Sequence, residues 1–184
     1  RPNGRSPKGV SSSAEISRLT NRIIGSKSFA TARMALEIHR AKRSKVLGVI
    51  SLTPSLARSA LALAYAEKEA ATGRRVLLLD GDLHERTITL ALGPDREHSI
   101  VDILSGRIGA NDAIIQLSSG VDFLPISHEV EVQDVLRGLA AEQLKEWRES
   151  YDIVIVDLPP AGPISEARIL APGIDSYLCC VEWG

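Results

Sequence analysis

The chain has 184 residues, 44% hydrophobic and 24% charged, with a net charge of −1. That composition supports one α/β domain with its own core and excludes a disordered chain. With two cysteines and no apolar run near the roughly 20 residues of a spanning helix, it also excludes a disulfide scaffold and a membrane bundle. Charge is unevenly spread. Residues 1–45 hold 11 Lys or Arg against 2 Glu, a net of +9, while residues 46–184 are net −10. A basic arm of this kind is expected to meet an anionic surface, such as acidic lipid, or the acidic body of its own chain, with a solvated linker as the equal alternative. No secretory leader opens the sequence, so a reducing cytoplasm is the expected compartment.

Residues 1–26 read as a basic, flexible linker, rich in Ser, Gly and Pro at the start, with a weak helical spacing at Ile16, Leu19, Ile23 and Ile24. Gly25 breaks that spacing. Ser28 is placed to cap a helix over 29–42, with Phe29, Ala32, Leu36 and His39 along one stripe. His39 has no partner nearby in sequence and reads as a satisfied or exposed histidine rather than a ligand.

Residues 45–82 carry the pattern around which the chain is organised. They predict a buried strand (46–51), a tight loop (52–57), a helix (58–72), a stop at Gly73 and a second buried strand (76–79). This is one βαβ unit with parallel strands. Residues 83–116 predict turns and short helices, one stopped by Gly106 and another starting at Asp112. A short strand is expected at 121–125 and an amphipathic helix at 132–150. The β-branched run 151–157 predicts a central strand buried on both faces, ended by Pro159 and Pro160. A short helix (166–170) and another core strand (175–182) follow, with Cys179 and Cys180 as small core or near-core residues. The chain stops without a closing helix, as an excised part of a longer protein would. The order predicts a doubly wound, mostly parallel sheet of about five strands.

The candidate site lies at the carboxyl ends of these strands. The segment Pro54, Ser55, Leu56, Ala57, Arg58, Ser59, Ala60 occupies the place of a phosphate-binding loop between a strand and a helix N-terminus. Such a loop needs glycines so that backbone amides close around oxygens, a Lys for the β and γ phosphates, and a hydroxyl for Mg²⁺. Ser59 meets the last need. Arg58 keeps the charge with a bulkier, planar group. Ser55 and Ala57 stand where glycines belong, at about 1 kcal/mol or more each if positive φ is required. Asp80 and Asp82 end one strand and Asp157 ends another, so the acids can converge on a metal ion. Capping of the following turn by Asp80 and Asp82 is the alternative.

Taken together, KVLGVIS, GRRVLLLDGDLHERTITLALG, SIVDILSGRIGANDAI, FLPIS, YDIVIVDLPPAGPISEARILAP and IDSYLCCVEWG resemble the cytoplasmic domain of bacterial tyrosine kinases. These belong to the polysaccharide co-polymerases of the chain-length determinant type, and the resemblance is to the exopolysaccharide (succinoglycan-type) transport proteins among them. It covers about residues 27–184, and cell-division and partition ATPases of the MinD kind are wider relatives. The resemblance implies a P-loop NTPase-like fold, with phosphate contacts from residues 54–60. It implies Mg²⁺ held by Ser59, Asp80 and Asp157, and catalytic roles for Asp80 and Asp82 toward a tyrosine hydroxyl, if Mg-ATP binds. It also implies a membrane-spanning co-polymerase segment as partner, homo-oligomers, the cytoplasmic face of the inner membrane as location, and no nucleic acid.

The departures are specific. Arg58 replaces the loop lysine, Ser55 and Ala57 replace glycines, and His84 and Glu85 replace the basic residues after the second aspartate. The family's Glu-Arg-Arg oligomerisation motif survives only as Arg33, with Lys27 and Ala30 in the other places, and no tyrosine-rich tail follows. The expected function is therefore a kinase-like regulator or scaffold in exopolysaccharide export with a degenerate phosphate loop. An active tyrosine autokinase and a partition-type ATPase are the alternatives.

Overall fold

Two parallel strands ending in aspartate, Val76–Asp80 (β2) and Ile153–Asp157 (β5), form the centre of the fold. Every residue of both is buried. Alternation sends Ile153 and Ile155 to one face and Val154 and Val156 to the other, so each face must be covered. The computed structural model describes residues 8–40, 45–92, 98–126, 143–161 and 170–181.

Among the described residues the sheet has six strands, in the order β3-β4-β2-β5-β1-β6. The others are Val46–Ser51 (β1), Ile115–Gln116 (β3), Asp122–Leu124 (β4) and Ser176–Cys180 (β6). All neighbours pair in parallel except β3 with β4. One face is covered by Lys8–Ile24 (α1), Lys27–Arg40 (α2), Leu56–Ala70 (α3) and Thr87–Leu92 (α4), around Ile16, Phe29, Tyr65, Leu78, Ile88 and Ile155. The other is covered by Ile100–Leu104 (α5), Ala110–Ala113 (α6) and Leu144–Ser150 (α7), around Leu77, Ile100, Leu144, Trp147 and Val156. Each fully buried Leu, Ile or Val contributes about 1.5–3 kcal/mol, which explains a core built with few aromatics. The expected doubly wound architecture is the one observed, with a two-residue antiparallel strand added at one edge.

Several expectations are corrected. Residues 8–24 are not a linker but helix α1, docked on α3. Ile16 is fully buried, and the buried Thr20 Oγ1 donates to the Ala60 carbonyl at 3.4 Å. The cap of α2 is Ser26, whose Oγ accepts from the Phe29 amide at 3.2 Å, rather than Ser28. The helix expected to start at Asp112 starts at Ala110, and Ile115–Gln116 is strand. Strand β6 lies at an edge of the sheet, with Cys179 exposed, because only β1 flanks it. Most of the helix predicted for 132–150 and most of the one predicted for 166–170 lie outside the described residues, as do residues 1–7 and the side chain of His39.

A buried carboxylate fixes α2 to α3. Glu69 Oε1 accepts from Arg33 Nε and Nη2 at 3.1 and 3.0 Å, and its other oxygen accepts from Arg74, which also binds Glu37. Arg33 is thus engaged inside the chain.

Candidate functional site

The register of the central strands sets the site. Asp80 pairs with Asp157 across β2 and β5, and Val49 of β1 flanks Asp157 on the other side. Gly81 continues past β2, and its amide donates to the Asp157 carbonyl at 2.8 Å. A Cβ on Gly81 would stand 2.8 Å from that same oxygen, so only glycine lets the two strand ends come this close.

The expected loop is partly absorbed into α3. The helix begins at Leu56, two residues earlier than the sequence predicts, and the Arg58 amide reaches the Ser55 carbonyl at 3.3 Å. Ala and Leu favour helix where glycine would not, so Leu56 and Ala57 extend it backward. Ser55 is extended, with φ −151° and ψ 122°, and among the described residues the only non-glycine with positive φ is Arg86. The backbone strain expected at Ser55 and Ala57 is therefore absent. These residues do not adopt the conformation that would require glycine.

One turn into α3, the Arg58 side chain turns into the sheet edge and is 1% exposed. Its Nε donates to Asp157 Oδ1 at 2.9 Å and its Nη2 to Asp82 Oδ2 at 2.6 Å. Both carboxylates are fully buried. Asp82 turns its second oxygen to the amides of His84 and Glu85, at 3.2 and 3.1 Å. Asp80 Oδ2 accepts from the Thr89 amide at 2.8 Å, and the Asp82 amide donates to Asp80 Oδ1 at 3.3 Å. Asp80 and Asp82 thus do cap the turn and helix that follow them. In this cluster Arg58 Nη1 and Asp157 Oδ2 have no hydrogen-bond partner among the described residues.

The electrostatics follow from burial. Loss of water pushes the Asp80 carboxyl up to about 7, aided by the charge of Asp157 and opposed by the Thr89 hydrogen bonds. Burial likewise raises Asp157, to about 6, while the Arg58 charge and the nearby Ser59 hydroxyl pull it down. For Arg58, burial works against the charge, yet Asp157 and Asp82 outweigh it and the net shift is upward. Arg58 stays a cation.

Ser59, Arg58, Asp80, Asp82 and Asp157 are thus brought together at one sheet edge. Ser59 and Ala60 are buried, Ser55, Leu56 and Ala57 half-buried, and Pro54 exposed. The set does not fit a magnesium ion. A metal needs carboxylate oxygens turned toward one point, and here two of the acids grip a guanidinium while the third holds an amide of α4. No three His, Cys, Asp or Glu among the described residues are grouped to hold a metal ion. Nor does the set fit a triphosphate, because the cation at the lysine position points into the acids. A separate cleft of about 610 Å³ lies at the amino ends of β2, β4 and β5, lined by Arg75, Asp112, Asp122, Trp147 and Tyr151 among others. Tyr151 Oη donates to Asp122 there at 3.0 Å.

A family model described as an AAA domain matches residues 44–182. The succinoglycan biosynthesis transport protein ExoP of Rhizobium meliloti is 29% identical over 163 residues, 85% of this chain and 21% of that protein. The chain thus spans about a fifth of the length of that curated relative. The kinase domain of Escherichia coli tyrosine kinase ETK has the same fold, with a TM-score of 0.76 at 20% identity, covering 100% of this chain and 71% of that one. The septum site-determining protein MinD of Pyrococcus horikoshii, solved with Mg-ADP, gives a TM-score of 0.63 at 25% identity, covering 73% of this chain and 56% of that one. The chain belongs to the AAA domain family.

Proposed function

We propose that this chain is a kinase-like domain that works in exopolysaccharide synthesis and export without transferring phosphate, as a regulator or scaffold. The observation that supports the reading most directly is the buried Arg58, held by Asp82 and Asp157 at 2.6 and 2.9 Å. Phosphoryl transfer rests almost wholly on positioning and charge stabilisation by a metal, a phosphate-gripping cation and a placed base. Here the cation and two of the three acids neutralise each other. An active tyrosine autokinase is the second reading, favoured by the retention of Ser59 and all three acids at one edge. Incubation with labelled ATP and Mg²⁺ or Mn²⁺ separates the two. We expect no phosphotyrosine, and label on a tyrosine that Asp157→Asn abolishes would establish the kinase.

We further place the domain at the cytoplasmic face of the inner membrane, next to a spanning co-polymerase segment. The +9 charge of residues 1–45 supports this. Among the described residues no helix is long and apolar enough to cross a membrane. Co-sedimentation with vesicles rich in anionic lipid, lost on raising salt, is the expected behaviour, and equal binding to neutral vesicles would count against it.

A further inference from the structure

In folds that hold a nucleotide and a metal, the ligand ties a loop-helix segment to the ends of neighbouring strands. In this chain a side chain makes that connection. We propose that Arg58 is a built-in cation that permanently ties α3 to the ends of β2 and β5, so that the segment after β2 is held in one state whatever nucleotide is present. The proposal deepens the non-catalytic reading and rests on it.

Four observations carry it. Arg58 joins residues distant in sequence, 24 positions away at Asp82 and 99 away at Asp157. All three side chains are at most 1% exposed, so water cannot stand in for a missing partner. The connection runs on from Asp82. Its other oxygen holds the His84 and Glu85 amides, its carbonyl accepts from Arg86, and the Arg86 carbonyl accepts from Leu90 in α4 at 2.9 Å. In α4, Thr89 donates its amide to Asp80 and accepts the Ile126 amide on its hydroxyl at 3.1 Å. The guanidinium thus holds the Asp82 turn that leads into α4, while Asp80, bonded by the Asp82 amide, holds α4 and through Thr89 the segment beyond β4. Finally, Arg86 keeps φ at 47°, a conformation non-glycine residues hold only when their surroundings fix it.

Arg58 is on this view a positioning residue, acting by charge through Asp82. Packing alone would also make it important, so the test must separate charge from volume. The readout is hydrogen exchange of the His84, Glu85 and Thr89 amides in the wild type, in Arg58→Ala and in Arg58→Ala with Asp82→Asn. Removing the cation strands the Asp82 and Asp157 carboxylates in a dry site, and the turn that Asp82 holds opens to water. We expect exchange at His84 and Glu85 at least tenfold faster in Arg58→Ala. The double variant should exchange measurably more slowly than Arg58→Ala in this turn, because a neutral amide at 82 still accepts both N–H groups and needs no cation, while the loss at Asp157 is common to both variants. Should Arg58→Ala fail to fold, the double variant folding in its place gives the same support. A double variant as fast-exchanging, or as poorly folded, as the single one overturns the proposal. So does a wild type whose exchange in this turn slows on adding Mg-ATP. Phosphotyrosine formation would overturn the non-catalytic reading instead, while the charge rescue tests the tie by itself.

Discussion

Replacing Gly81 by alanine tests the geometry on which the site depends. The new Cβ would lie 2.8 Å from the Asp157 carbonyl oxygen and 3.0 Å from Val156 Cγ1. Carbon–oxygen contacts settle at about 3.3–3.6 Å, so the strand ends must part by roughly half an ångström. A rotamer change cannot absorb this, because the nearer atom is backbone. That backbone is paired on both sides, with Asp80 and with Val49. Overpacking of this kind costs about 1–3 kcal/mol. Weakening the hydrogen bond from Gly81 to Asp157 adds roughly 0.5–1.5 kcal/mol. The sum, about 1.5–4.5 kcal/mol, corresponds to a fall in Tm of roughly 3–18 °C for a chain of this size. Urea denaturation should show a lower midpoint with an unchanged slope. Gly109→Ala is the control, since its Cβ meets only Asp112 Oδ2 at 3.5 Å, and it should stay within about 0.5 kcal/mol. A Gly81→Ala variant as stable as that control would mean that β2 and β5 do not meet at Asp80 and Asp157.

Two further outcomes are expected. The folded state holds protons on Asp80 up to about pH 7 and on Asp157 up to about pH 6, whereas a free carboxyl releases its proton near 3.8. The folded chain thus binds more protons than the unfolded one across that window, so stability should fall as pH rises from about 4 to about 7. Asp80→Asn should flatten the slope, and a slope of opposite sign in wild type would contradict the burial of these acids. On the other side of α3, Glu69→Gln removes a buried charge shared by Arg33 and Arg74 and should cost about 1–3 kcal/mol in urea denaturation. No measurable loss would show that the network does not hold α2 in place.

How far the sequence could be read differs from element to element. Strands β2 and β5 were legible because a run of branched apolar residues buried on both faces has few other uses. Their terminal aspartates were legible because open parallel sheets gather polar groups at strand carboxyl ends. Helix α1 was obscured by the Ser, Gly and basic residues around it, although Ile16, Leu19, Thr20 and Ile23 do share the face that docks on α3. The loop before α3 stands out in the sequence by what it lacks. What Leu56 and Ala57 do instead, extending the helix backward, follows from their helix preference. The charge at Arg58 is legible in the sequence, but its direction is not. Whether a guanidinium reaches out toward phosphate or inward toward carboxylates depends on distances between segments 99 residues apart. The Glu69 network was missed for the same reason. Its one local signal is Arg74, five positions after Glu69 and just beyond the helix.

On this reading Arg58 already fills the role an incoming metal and nucleotide would take. Calorimetric titration of Mg-ATP into the wild-type chain is the decisive experiment. No saturable heat is expected. A saturable isotherm for one site, lost in Asp157→Asn, would show that the guanidinium yields to the ligand and that the site is a working one.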